Sequence, residues 1–180
     1  MKELMKSLRW IALGSMVLLV LALMGCGGGD SRETRTAQAT LTGAQEVPLT
    51  NSTATGSATV FVVHDARALD VTLDVSGIDL ATVTAAHIHA GRTGEDGPVI
   101  FPLFTGPTGT FTSPFTVHLT EANLIRTTSG TESPSRVRVR SFSDFVHELD
   151  RGNLYINVHT LAFPDGEIRG QLRVINVDED

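Results

Sequence analysis

The chain reads as an all-β protein, a sandwich or barrel of mostly antiparallel strands with one short helix. Three observations point there. From Ala37 onward the sequence breaks into short segments rich in Val, Thr and Ile, separated by Gly, Pro, Asn and Asp. Within several of them apolar and polar residues alternate with period two, as where Leu69, Val71, Leu73 and Val75 interleave with Asp70, Thr72 and Asp74. One stretch changes to a helical period, with Phe142, Phe145, Val146 and Leu149 at i, i+3, i+4 and i+7.

The first segment stands apart from this pattern. Lys2, Lys6 and Arg9 precede an apolar run from Trp10 to Met24, which leads into the single cysteine, Cys26. The run is about 15 residues long, short of the roughly 20 that a spanning helix needs. The order Leu23-Met24-Gly25-Cys26 is that of a bacterial lipoprotein signal. Residues 1–25 are therefore expected to be a signal peptide, with lipidation at Cys26. The mature protein would be exported and lipid-anchored to the cell envelope, at the periplasmic or the outer surface.

Losing residues 1–25 removes three positive charges and one negative, which moves the formal net charge from −6 to −8 and leaves no lysine. An acidic surface argues against nucleic acid as a partner. It also offers no basic patch to anionic lipid, so the acyl anchor must do the tethering. With Cys26 lipidated, no thiol remains for a disulfide or a nucleophile. Residues 26–36, opening Gly27-Gly28-Gly29-Asp30, read as a flexible tether, residues 37–174 as one domain, and residues 175–180 as an acidic tail.

The alternation and the breakers predict strands at Gln38–Thr42, Ser57–Val63, Ala68–Val75, Val83–His89, Val99–Phe104, Thr110–Leu119, Arg136–Arg140, Leu154–His159 and Glu167–Val174. His64-Asp65-Ala66-Arg67 reads as a tight hairpin turn, and Arg126 to Ser135 as a loop. The helix is expected from about Ser143 to Asp150, lying over one end of the strands. Ser141 or Ser143 would cap its start, and Gly152 lies just beyond its end.

Candidate chemistry gathers on three of these strands. In Ala86-His87-Ile88-His89-Ala90, an inward Ile88 turns both histidines outward, with α-carbons about 6.6 Å apart. In Leu154-Tyr155-Ile156-Asn157-Val158-His159 the same parity puts Tyr155, Asn157 and His159 outward. In Glu167-Ile168-Arg169-Gly170-Gln171-Leu172 it does so for Glu167, Arg169 and Gln171. Pro164-Asp165-Gly166 is a turn signal between these two strands, which should pair antiparallel and bring Glu167 near His159.

If the strands are neighbours, His87, His89 and His159 form a candidate site for Zn or Cu. Glu167, Arg169 and Asn157 would then support it, the carboxylate by fixing an imidazole tautomer. The plainer alternative is a hydrogen-bonded polar cluster that ties strands and loops together. His64, His118 and His147 have no such grouping. Gly91-Arg92-Thr93-Gly94-Glu95-Asp96-Gly97-Pro98 is glycine-rich but lacks the Gly-Lys-Ser/Thr end of a phosphate loop, so its glycines read as turn-formers or, alternatively, as part of a lid over the histidines. No Gly-x-Ser-x-Gly elbow is present, and no pair of acids stands out, so no catalytic residue is assigned.

Three stretches resemble the CHRD domain, the module repeated in chordin. They are Leu41-Thr42-Gly43-Ala44-Gln45-Glu46-Val47-Pro48; then Ala86-His87-Ile88-His89-Ala90-Gly91 with Gly97-Pro98-Val99; and Tyr155-Ile156-Asn157-Val158-His159-Thr160 with Pro164-Asp165-Gly166-Glu167-Ile168-Arg169-Gly170-Gln171. The resemblance implies an immunoglobulin-like β fold in an extracytoplasmic setting. It implies no particular activity or protein partner. Two functions are expected on these grounds: a non-enzymatic binding or structural module on the envelope or, alternatively, a metal-binding protein with a redox or metal-handling role.

Overall fold

The computed structural model describes residues 33–127 and 135–179. The signal segment, Cys26 and residues 26–32 of the expected tether lie outside the described residues, as do residues 128–134 of the expected loop.

The strands are β1 (Glu33–Thr42), β2 (Thr55–Val63), β3 (Ala68–Ser76), β4 (Val83–Ala90), β5 (Val99–Phe104), β6 (Phe115–Thr120), β7 (Leu154–Thr160), β8 (Ile168–Gln171) and β9 (Arg173–Glu179), with one α-helix, α1 (Phe142–Asp150). They hydrogen-bond in the order β5-β4-β7-β8-β1-β2-β3-β6, every ladder antiparallel, and β9 runs on from β8 to pair with β1. The sheet is nearly closed, barrel-like, and the fold is all-β, with a single short α-helix among the described residues. Ile125, just past β6, donates to the Ile100 carbonyl on β5 at 2.8 Å, which links the two edges of the order.

Alternation explains the core. Val60, Val62, Val71 and Leu73 from one half of the sheet, and Ile88, Ile156, Val158 and Ile168 from the other, are buried in one apolar cluster. Leu172, at the break between β8 and β9, is fully buried with them. Helix α1 adds Phe142, Phe145, Val146 and Leu149, the four residues its period marks, and Phe145 meets Phe101 of β5 edge-on at 5.2 Å. Ser141 caps the helix by accepting from the Asp144 N–H. At the other end Gly152 takes φ +67. Its N–H reaches the Leu149 carbonyl and that of Asn153 the Glu148 carbonyl, the paired bonds of a Schellman ending. Residues 64–67 form the expected turn, with the Arg67 N–H on the His64 carbonyl.

Four sequence expectations change. Glu33–Thr36, assigned to the tether, open β1, and residues 175–179, assigned to an acidic tail, lie in β9; these two segments pair with each other. The pairing is hidden because Glu33–Thr36 carry no apolar alternation and Ile175 and Val177 stay exposed; main-chain bonds hold it. Residues 110–114 do not join β6, which begins at Phe115. Residues 136–140 alternate between exposed Arg and buried Val but enter no strand ladder. Val139 instead exchanges two bonds with Thr127, one to its side chain and one from its N–H.

Candidate functional site

Strand β7 lies between β4 and β8, with His87 opposite Asn157, His89 opposite Tyr155, and Arg169 opposite Asn157 on the far side. This register gathers the outer residues of all three strands on one patch. Most of that face is closed to solvent, with His87 and His159 left half-buried. His89 is 7% exposed, Tyr155 1%, Asn157 3% and Arg169 2%. Loop 91–98 and the turn between β7 and β8 lie over them, so a second, polar layer is buried behind the apolar core.

The three imidazoles meet. One ring nitrogen from each of His87, His89 and His159 lies within 4.8 Å of the others. His87 Nδ1 is 3.1 Å from His159 Nε2, and Asn157 Oδ1 is 3.1 Å from that same nitrogen. Two backbone carbonyls fix the tautomers. His89 Nδ1 donates to the Gly97 carbonyl at 2.8 Å, and His159 Nδ1 to the Pro164 carbonyl at 2.9 Å. A carbonyl can only accept, so each donated nitrogen carries the hydrogen and each Nε2 is left with its lone pair; the Asn157 amide beside His159 Nε2 must then turn its NH2, not its oxygen, to that lone pair. Nε2 of His89 is buried and has no hydrogen-bond partner among the described residues.

The rings are neutral. Burial pulls His87 down to about 4, helped by the neighbouring His159 and His89. Burial likewise pulls His89 down to about 4, against the opposing bond to Gly97. It lowers His159 as well, opposed by the Pro164 carbonyl and by Asp165 and Asp96. Neutral imidazole is the form that ligates metal.

Around the rings the packing is tight and aromatic. Tyr155 stacks on His89 with centroids 4.7 Å apart and planes 9° from parallel, and the Arg169 guanidinium lies 3.4 Å from the Tyr155 ring centre. The Tyr155 hydroxyl donates to Asp96 at 2.9 Å and accepts from the Gly97 N–H at 3.1 Å. Burial pushes the phenol pKa up. Arg169 donates through Nη2 to the Arg92 and Glu95 carbonyls, both at 2.9 Å, and Gln171 donates to the Gly91 carbonyl. These bonds pin loop 91–98 over the histidines. Gly97 permits the approach, because a Cβ there would collide with the Ala90 carbonyl.

One of the supporting residues acts otherwise than expected. Glu167 does not reach His159: Ser52 and Thr160 each donate to its carboxylate at 2.7 Å, so it fastens the 50–52 loop to β7. The partner expected from a carboxylate is supplied by the Pro164 carbonyl. Arg169 stands at the edge of the patch, over Tyr155, and clamps the loop from there. Of the remaining histidines, His64 pairs with Glu33 and His118 with Asp70, both away from the patch. Tyr155 shares the parity of Asn157 and His159 and was legible on that ground. The carbonyls of Gly97 and Pro164 leave no signal in the sequence, because backbone placement depends on how the loops fold back.

The family model for the CHRD domain matches residues 37–172. No curated protein and no solved structure matches the chain.

Proposed function

The chain belongs to the CHRD domain family, and from that premise we propose that it is a non-enzymatic binding module of the cell envelope whose ligand is a single Zn(II) or Cu(II) ion. His87, His89 and His159 would supply three neutral nitrogen ligands and leave one position for water or an incoming donor. The observation that carries this reading is the orphaned Nε2 of His89. A buried acceptor without a partner costs roughly 1–3 kcal/mol, and its bare lone pair belongs to the same cluster as two other ring nitrogens. Tautomers held by backbone carbonyls are the usual outer support of histidine ligands. The lipid anchor at Cys26 belongs to the same proposal: Cys26→Ser should release the protein from the membrane fraction or leave unprocessed precursor.

The 3.1 Å contact between His87 and His159 favours a second reading, in which the imidazoles form a purely structural hydrogen-bonded pair. Metal analysis of tag-free protein, followed by calorimetric titration at neutral pH, separates the two. The metal reading expects one ion per chain, with binding lost in His89→Gln. Absence of bound metal and of binding heat would leave the structural cluster.

A further inference from the structure

Two of the stretches that mark the family, one ending in Glu46-Val47-Pro48 and the other holding Pro164-Asp165-Gly166, face each other across a groove that shares only the Pro164 residue with the histidine site. The groove has a volume of about 480 Å³ and runs between residues 46–51 and 162–166, a size ordinary for small-molecule sites. Its walls include Pro48, Leu49 and Phe163, and Leu49 is among the exposed large apolar side chains. Its charged residues are Glu46 and Asp165, and no Lys, Arg or His lines it.

We propose that this groove binds a small organic amine, with the ammonium on the Glu46 carboxylate and the hydrocarbon body against Pro48, Leu49 and Phe163. Glu46 is 8% exposed, and its Oε1 is buried with no hydrogen-bond partner among the described residues. A buried carboxylate oxygen without a donor is a marked cost to the empty fold, and an ammonium ion supplies the missing donor and the missing charge together. Gly166 makes the room: a Cβ there would stand 2.5 Å from Oε1. The nearest competing cation is Arg169, which acts on Glu46 only through its field while its Nη2 is given to the Arg92 and Glu95 carbonyls. Burial lifts the Glu46 carboxyl to about 7, with Arg169 opposing and Asp96 adding to the rise. A cation in the groove would therefore draw it back to the charged form.

The test is an NMR titration of the purified chain with 2-phenylethylamine, 2-phenylethanol and 3-phenylpropionate in chelator, so that metal plays no part. The proposal expects saturable shifts at Glu46, Phe163 and Gly166 with the amine, an affinity at least about tenfold above that of the alcohol, and no binding of the acid. Glu46→Gln should remove at least about tenfold of the amine's affinity and leave metal stoichiometry unchanged. Equal binding of amine and alcohol, amine binding indifferent to Glu46→Gln, or no shifts at about 10 mM amine would overturn it. If the variant does not fold, the three-ligand comparison on the parent chain still decides. Neither outcome depends on whether the histidines hold an ion.

Discussion

The outer faces of the two halves of this sheet obey the same alternation and end in opposite surroundings. On β2 and β3 the outward residues Ser57, Phe61, Asp70, Thr72 and Asp74 are exposed. On β4, β7 and β8 the outward His89, Tyr155, Asn157 and Arg169 are buried. The difference lies in the connections. Strands β2 and β3 are joined by a four-residue turn that covers nothing, whereas residues 91–98 and 160–167 fold back over the other half and deliver carbonyls to His89 and His159. Period two decides which side a residue takes; loop length and glycine placement decide whether that side is water or a second interior.

The largest expected effect tests the half of the comparison that both faces share. Ile156→Ala opens a hole in the apolar core beneath the histidines and should lower stability by about 2–5 kcal/mol in urea unfolding. A cost near zero would mean that the polar layer, not the core, holds β7.

The covered face should also be the pH-sensitive one. His87 and His89 are held at about 4 in the folded chain, against about 6.5 when unfolded. Between those values the unfolded chain binds more protons, so their contribution is complete above about pH 6.5 and is lost as pH falls toward 4. In metal-free protein this should amount to several kcal/mol across the window, at about 1.4 kcal/mol per pH unit for each ring, and His89→Gln should remove about half of it. Glu46 works in the other direction. Its folded value of about 7 lies above the ordinary one, so its contribution is full below about pH 4.3 and fades as pH rises to 7. Glu46→Gln should remove that decline from melts between pH 5 and pH 7 without touching the acid limb.

Gly97→Ala tests the cover itself. A side chain there meets the Ala90 backbone oxygen, so the loop must shift, at about 1–2 kcal/mol. His89 and Tyr155 should then become visibly more solvent-accessible in hydrogen exchange of loop 91–98 and in tyrosine fluorescence quenching. The smallest effect belongs to the open face: Thr72→Ala should stay within about 0.5 kcal/mol. If it matched Gly97→Ala, the two outer faces would not differ as described.

What the sequence discloses follows the same division. The strands, helix α1 with its Ser141 cap, and the shared side of His87, His89 and His159 are local patterns, and period and capping chemistry make them readable. Pairing between Glu33–Thr36 and residues 175–179 was hidden, since the first segment has no apolar alternation and the apolar Ile175 and Val177 of the second stay exposed, while the backbone does the joining. Val137 and Val139 mimic a strand because burial alternates, yet a strand also needs a neighbour along its length, and Thr127 alone supplies bonds to Val139. Glu46 gave no pattern at all. An acid in a turn reads as solvated until the 162–166 segment is seen to close over it.

The most direct measurement is anomalous diffraction from crystals grown with Zn(II) or Cu(II), recorded at the metal's absorption edge. The account predicts one strong peak about 2.0–2.1 Å from a ring nitrogen of each of His87, His89 and His159, including Nε2 of His89. A peak elsewhere with those rings unliganded, or no peak while His87 and His159 remain in direct contact, would contradict it.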